Sequence, residues 1–238
     1  MIDLQHGCCL ELMKNIPDKS VDMVLTDPPY GTTACKWDTV VDFDLMWKEL
    51  KRITKDNGAI CLFGQNPFSA SLIMSNPKMY RYEWIWEKDQ AKNFLFMKKQ
   101  AGKIHENITV FYKKQPTYIP QMREVKSKLC SGGNKRIDTM GINVKSDKSR
   151  SGSKLRYPIS ILRYSSMKKS VHPTQKPVAL LEYLIKTYTL ENETVLDFTM
   201  GSGSTGVACK NLNRNFIGIE KEEKYFNIAK ERMQWQQS

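Results

Sequence analysis

Val21-Asp22-Met23-Val24-Leu25-Thr26-Asp27-Pro28-Pro29-Tyr30 is a short apolar run that stops at two prolines. An apolar run of this length, bounded by a turn signal, reads as a buried strand. Neither proline donates to a sheet ladder, and Pro29 pushes Pro28 out of the helical region. The pattern sets Asp27 at the carboxyl end of a strand, on a stiff extended backbone, with the Tyr30 ring three positions on. In open α/β sheets ligands bind at that edge. The Asp27 carboxylate and the Pro28 carbonyl are both acceptors, which suits an exocyclic amino group with its two donors. Tyr30 offers a flat face for a base, an interaction worth ~1–3 kcal/mol in single-strand binders. The tetrapeptide by itself also fits a proline-stiffened turn with a surface tyrosine.

Working outward, the chain alternates strands and helices. Leu10–Met13 is a short helix candidate, and Phe43–Lys55 places Leu45, Met46, Leu50 and Ile53 at helical spacing before Asn57-Gly58. Ala59–Gly64 reads as a buried strand, and Pro67 opens a helix to about Met74. Tyr82–Lys88 and Asn107–Tyr112 are further strands. The Asn93–Lys99 stretch mixes aromatics with bases and suits either DNA contact or core packing, of which core packing is preferred, and His105-Glu106 is assigned a structural rather than a catalytic role. After residue 170 a helix carries Leu180, Leu181, Tyr183, Leu184 and Tyr188. Thr194–Asp197 is a strand, Val207–Leu212 a helix, Phe216–Glu220 a strand and Glu222–Met233 a last helix. Between Asp197 and Val207, Gly201, Gly203 and Gly206 fit Gly-x-Gly-x-x-Gly. Such glycines let the backbone turn tightly and approach a ligand, and Glu220 is placed to accept both hydroxyls of a ribose. Taken alone, this unit suits a nicotinamide dinucleotide nearly as well.

The chain has 238 residues, 40% of them hydrophobic, enough for one large α/β domain with a sizeable core. No apolar run approaches the ~20 residues of a bilayer span. The first residues lack a signal-peptide pattern, so a cytoplasmic location is expected. The six cysteines form no Cys-x-x-Cys pair, so no metal site is suggested, and they are expected to be reduced thiols. Residues 113–169 carry fifteen Lys and Arg against three acids, equal to the whole net charge of +12. A basic segment of this kind is the electrostatic footprint of nucleic-acid binding, and equally of a solvated basic loop. Tyr118, Tyr157 and Tyr164 are interleaved with its bases.

Asp27-Pro28-Pro29-Tyr30 resembles the signature of DNA amino-methyltransferases, which methylate adenine N6 or cytosine N4. His172-Pro173-Thr174-Gln175-Lys176-Pro177 resembles a second family segment, which packs beside the methionine end of the cofactor. The Asp197–Gly203 loop is similar to the cofactor loop of S-adenosylmethionine methyltransferases. The catalytic tetrapeptide comes early, the basic segment next and the cofactor loop late, an order that resembles the β-class permutation of the family. Two positions depart from the pattern. The family usually has Gly-Asp-Cys where this chain has Gly7-Cys8-Cys9, and Cys8 cannot make the aspartate's contact with the cofactor's adenine. The family's Asp-Pro-Phe is here Asp197-Phe198-Thr199.

The resemblance implies an α/β fold, a doubly wound, mostly parallel, Rossmann-like sheet with a basic target-recognition insertion. Residues 1–114 are the expected catalytic half, 115–170 the insertion and 171–238 the cofactor half. The implied catalytic residues are Asp27, Pro28, Pro29 and Tyr30. Those implied for S-adenosyl-L-methionine are Cys8, Cys9, Asp27, His172, Thr174, Asp197, Thr199, Gly201, Gly203, Ser204, Thr205 and Glu220. Lys135, Arg136, Arg150, Lys154, Arg156, Lys168 and Lys169 are the expected DNA contacts. The implied partner is double-stranded DNA, with no membrane; family members are often dimers, so a homodimer is admitted. Asp at position 27 favours adenine N6, since cytosine-N4 enzymes more often have Ser there. The chemistry implied is restriction–modification-type DNA methylation of a flipped base.

Overall fold

The apolar run ending at Thr26 is a strand, and the sheet grows from it on both sides. The computed structural model describes residues 1–31, 39–91, 93–125, 136–137, 143–144, 154–166 and 175–234. β2 (Val21–Thr26) lies between β11 (Thr194–Asp197) and β3 (Thr54–Gly64), parallel to both. Beyond β11 come β12 (Asn215–Glu220) and then β1 (Ile2–His6), all parallel. Beyond β3 the order is β5 (His105–Phe111), β4 (Tyr80–Glu87) and β10 (Ile161–Arg163). β5 pairs antiparallel to both neighbours, so it alone of these eight strands runs against the rest.

Alternation along the buried strands feeds two cores, one on each face. Met23, Leu25, Cys61 and Phe63 face α4 (Val178–Tyr188), α5 (Ser204–Asn211) and α6 (Glu223–Gln234). Val24, Ile60 and Leu62 face the other layer, with Met46, Trp47, Leu50 and Ile53 of α2 (Phe43–Ile53) and Phe68 and Leu72 of α3 (Phe68–Ser75). The short α1 (Cys9–Leu12) joins that layer through its partly buried side chains. Asp42 caps α2, accepting from the Leu45 N–H at 2.9 Å.

From β2 the chain winds through α2 to β3 on one side, whereas from β11 it winds through α5 to β12 on the other. The winding reverses between β2 and β11, which is where an open α/β sheet forms its ligand crevice. Asp27 and Asp197 stand at that edge.

Several elements differ from the sequence expectations, among them β10, an edge strand of the main sheet that falls inside the expected insertion 115–170. β1 was not anticipated: it is a short edge strand with no buried residue, held by the Phe216–Glu220 ladder. α2 ends at Ile53, and Asn57-Gly58 is part of β3 where the ladder with β2 shifts register. A Cβ at position 58 would lie 2.8 Å from the Asp22 carbonyl oxygen, so this glycine admits a close strand approach rather than ending a helix. The aromatic stretch after β4 is not core: Leu95, Phe96 and Met97 are exposed in a loop with a single 3₁₀ turn at Phe94–Phe96.

A second compact unit spans Pro120–Ile159, and the first unit is Met1–Ile119 with Ser160–Ser238. The 115–170 segment therefore begins and ends inside the first unit. Within the second unit, β6 (Arg123–Glu124) pairs antiparallel with β9 (Leu155–Arg156), and β7 (Arg136–Ile137) with β8 (Asn143–Val144). Tyr157 belongs to it and is exposed. Tyr118 and Tyr164 belong to the first unit instead, where their rings approach Tyr188 at 6.2 Å and Tyr183 at 6.4 Å. Among the described residues, no helix is long and apolar enough to cross a membrane.

Candidate active site

A cleft of about 290 Å³ opens along the carboxyl ends of β1, β2, β11 and β12. Gly7, Cys8, Cys9 and Leu10 line one end with Glu220, and Thr26, Asp27 and Pro29 line the other. Met200, Gly201, Ser202, Ser204 and Thr205 form the wall beneath α5, and Val40, Val41 and Leu181 add apolar surface. A concave, mostly apolar pocket with a few converging polar groups is the form of a small-molecule site.

At the β11 end, Asp197 is 4% exposed and held by uncharged donors. Its Oδ1 accepts from the Thr26 hydroxyl and from the Thr199 N–H at 3.2 Å, and its Oδ2 from the Thr205 hydroxyl at 2.6 Å. Burial pushes its carboxyl up to about 6, against the pull of those hydrogen bonds. The Thr199 hydroxyl donates to the Asp27 carbonyl oxygen at 3.1 Å and lies 2.9 Å from the Thr26 hydroxyl. The residue that departs from the family's aromatic thus stitches the β2 loop to the β11 loop. Phe198 is buried in the core on the α2 face.

At the β12 end, Glu220 is fixed by backbone donors. Gly201 N–H reaches Oε2 and Glu222 N–H reaches Oε1, both at 2.8 Å. Burial raises this carboxyl above its ordinary value despite those bonds. Gly201, at φ 52°, is where the loop needs left-handed backbone beside the cleft. Gly203, also left-handed at φ 76°, and Gly206 meet a further demand. A Cβ at 203 would meet Met233 Cε at 2.6 Å and Ala229 Cβ at 2.9 Å, and one at 206 would meet Met233 Cε at 2.2 Å. These two glycines let α6 close on α5, and Gly203 is not among the cleft-lining residues. Cys8 is exposed, and burial pushes the half-buried Cys9 thiol up to about 11, leaving Cys9 a neutral lining group.

At the β2 end, Asp27 is half-buried and Pro28 buried. Tyr30 donates its hydroxyl to Asp27 Oδ1, and its ring lies 4.9 Å from Phe68, tilted by 32°. Asp27 and Pro29 line the cleft; Pro28 and Tyr30 are not among its lining residues. Asp27 Oδ2 accepts from the Lys176 ammonium. Burial raises the Asp27 carboxyl above its ordinary range, Lys176 opposes this, and the Glu106 charge adds to the rise.

Lys176 and Glu106 are the functional candidates that sequence reasoning passed over. The Lys176 side chain is 8% exposed, touches Asp27 and Glu106 Oε2 (3.3 Å), and sits 5.0 Å from the Phe63 ring centre. Glu106 also accepts from Lys88, and from Gln65 Nε2 at 3.0 Å. His105 is exposed while Glu106 is buried, as alternation along a strand requires, so the two are not a pair. The signals in the sequence were Lys176's place in the segment 172–177 and the His105-Glu106 pair, which was assigned a structural role. His172, Thr174, Lys135, Arg150, Lys168 and Lys169 lie outside the described residues, and Arg136 is described by its backbone alone. Lys154 is exposed and Arg156 half-buried in the second unit.

A family model described as DNA methylase matches residues 21–231. The Type II methyltransferase M.HpaI of Haemophilus parainfluenzae is 30% identical over 239 residues, 94% of this chain and 71% of that protein. The Type II methyltransferase M.HinfI of Haemophilus influenzae is 29% identical over 95% of this chain and 67% of its own length. Among solved structures, the M1.HpyAVI–SAM complex superposes with a TM-score of 0.65 at 27% identity, covering 98% of this chain and all of that one. The cytosine-N4-specific PvuII DNA methyltransferase shares the fold, with a TM-score of 0.70 at 15% identity over 97% of this chain and 86% of that one.

Proposed function

The chain belongs to the DNA methylase family of N6/N4 amino-methyltransferases, and from that premise we propose that it transfers a methyl group from S-adenosylmethionine to adenine N6 of a flipped base in duplex DNA. The observation that carries this reading is the position of Asp27. It lines the same cleft as Asp197 and Glu220, at the edge where the sheet reverses its winding. The cleft residues suit the cofactor chemically: Glu220 is oriented to accept ribose hydroxyls, Asp197 is an anion for a methionine amine, and Met200, Val40 and Val41 offer apolar surface. Bound there, S-adenosylmethionine supplies an electrophilic methyl group.

The chain's own groups act on the acceptor. A base inside a duplex cannot present its amine to a cleft, so it leaves the stack first. The ionised Asp27 and the Pro28 carbonyl accept the two N–H groups of the amine. This turns its lone pair out of conjugation with the ring and toward the incoming methyl; once the N–C bond forms, the surplus N–H proton of the cationic amine passes to the Asp27 carboxylate and from it to water. Tyr30, braced by Phe68 and by its bond to Asp27, offers the ring that would pack on the base in this reading. Positioning and exclusion of water supply the rate, with no covalent enzyme intermediate. Exposed Leu95, Phe96 and Met97, beside Lys98 and Lys99, sit at the carboxyl end of β4, on the Asp27 edge of the sheet, and suit the DNA side. Lys154 and Arg156 in the second unit suit phosphate contacts, as the family resemblance expects of the basic segment.

The deciding experiment is mass spectrometry of nucleosides from unmethylated DNA treated with purified protein and S-adenosylmethionine. N6-methyladenine is the expected product. N4-methylcytosine would overturn the base assignment, and no methylated nucleoside would overturn the reaction.

A further inference from the structure

Four charged side chains far apart in sequence form one buried line: Asp27, Lys176, Glu106 and Lys88, alternating in sign. The side chains of Lys176, Glu106 and Lys88 are each no more than 8% exposed, and Asp27 at the cleft end is 20% exposed. The line has no net charge, the condition under which so many ions can be buried together. Each lysine is seated on an aromatic ring, Lys176 at 5.0 Å from Phe63 and Lys88 at 4.7 Å from Trp86. Gln65 holds Glu106 from a further side at 3.0 Å.

We propose that Lys176 is the positioning residue for methyl transfer, a cation shared between Asp27 and Glu106 that fixes Asp27 as an ionised, oriented acceptor for the substrate amine. This rests on Asp27 being the amine-binding group. Asp27 is caught between opposing influences: the Tyr30 hydroxyl and the Lys176 ammonium favour its charge, while burial, Glu106 and, across β2 and β11, Asp197 oppose it. A protonated Asp27 would present an O–H donor in place of an acceptor on one of its two oxygens. Glu106 lends part of its charge to Lys176 and part to Lys88, so Lys176, which itself lines the cleft, is held between Asp27 and Glu106 rather than wholly spent on Glu106.

The arrangement yields opposite signs for its two sides. Lys176→Gln removes the cation, so the Asp27 titration should move up by about one pH unit or more. Glu106→Gln removes the opposing anion and leaves Lys176 to Asp27 alone, so the same titration should move down. The test is carboxyl ¹³C NMR of aspartate-labelled full-length protein, with the Asp27 signal assigned by Asp27→Asn. The same proteins are assayed for methyl transfer to DNA between pH 5.5 and 9.5 and for S-adenosylmethionine affinity by calorimetry. Expected are opposite displacements, an acid limb of kcat in Lys176→Gln displaced with the Asp27 signal, cofactor affinity within a few-fold, and partial rescue by Lys176→Arg. Displacements of the same sign, or no displacement, would overturn the proposal. So would a Lys176→Gln protein whose defect is entirely in cofactor affinity, which would make Lys176 a cofactor contact. The NMR arm needs no turnover, so an absence of methyl transfer by the unaltered protein would count against the proposed function and leave the Asp27–Lys176 result standing.

Discussion

Gly206→Ala tests whether the glycine motif serves a ligand or the packing of two helices. In the structure a Cβ at this position would lie 2.2 Å from Met233 Cε, 2.7 Å from Met233 Sδ and 2.7 Å from Phe216 Cε1. Carbon atoms rest at about 3.5–4.0 Å, so each contact must open by about 1 Å or more. Met233 ends in a flexible thioether and can turn aside. Phe216 cannot, because it is fully buried on β12 beneath α5. Overpacking of this kind costs about 1–3 kcal/mol, and the better helix propensity of Ala returns at most about 1 kcal/mol. A net loss of about 1–2 kcal/mol is expected, read as a drop of a few degrees in Tm for a chain of this size. Urea and thermal unfolding measure it. Repeating the substitution in a Met233→Ala background should reduce its cost by about 0.5 kcal/mol or more, because the two sites share one space. Cofactor affinity of the folded protein should change little. Unchanged stability together with lost cofactor affinity would refute the reasoning and return Gly206 to the ligand.

Asp27→Ala should abolish methyl transfer while calorimetry still finds S-adenosylmethionine bound within a few-fold of the unaltered affinity, since in the proposed mechanism Asp27 holds the acceptor amine; retained turnover would remove it from the mechanism. Reversing the charges of Lys154 and Arg156 to Glu should weaken DNA binding and flatten its dependence on salt, measured by anisotropy across a salt series, because each lost phosphate contact lowers the slope by about 0.9. Asp197 is raised to about 6, so its anionic form is lost as pH falls through that value; affinity for the cationic cofactor should weaken between pH 7 and 5, and a flat profile over that range would mean that Asp197 serves only to bind Thr26 and Thr205.

What could be read from the chain depended on how local the determining physics was. Two adjacent prolines end β2 by covalent geometry alone, so the position of Asp27 at a strand's carboxyl end was legible. The β11–loop–α5–β12 unit was legible for the same reason, as apolar runs separated by glycines and closed by Glu220. Asn57-Gly58 carries the same local signal as a helix stop, and there the signal misled, because the glycine is required by the backbone of β2 crossing close by. β1 gave no signal, since an edge strand without buried residues takes its order from the ladder it joins. The roles of Gly203 and Gly206 depended on Ala229 and Met233 of a helix that follows them, so the motif was visible and its cause was not. Lys176 and Glu106 are 70 positions apart and meet only through the placement of β5 beside β3.

The two acids at the adjoining ends of β2 and β11 are compensated in different ways, and the difference matches what each would hold. Asp197 is surrounded by two threonine hydroxyls and one backbone N–H, which satisfy its lone pairs but leave its charge uncancelled. That is a site for a cation, and it suits the positively charged cofactor. Asp27 has its charge answered directly by the Lys176 ammonium, and Lys176 is answered in turn by Glu106. A carboxylate in that state still accepts hydrogen bonds while exerting little net pull on a cation, so it suits the neutral amine of a base. The segregation also limits misplacement: a cationic group entering the Asp27 end would meet Lys176, whereas at the Asp197 end the donors are Thr26, Thr199 and Thr205, all uncharged. Two carboxylates on neighbouring strands thereby acquire different tasks from their surroundings alone, and Lys176, which answers the charge of Asp27 but not that of Asp197, is the residue on which that division depends.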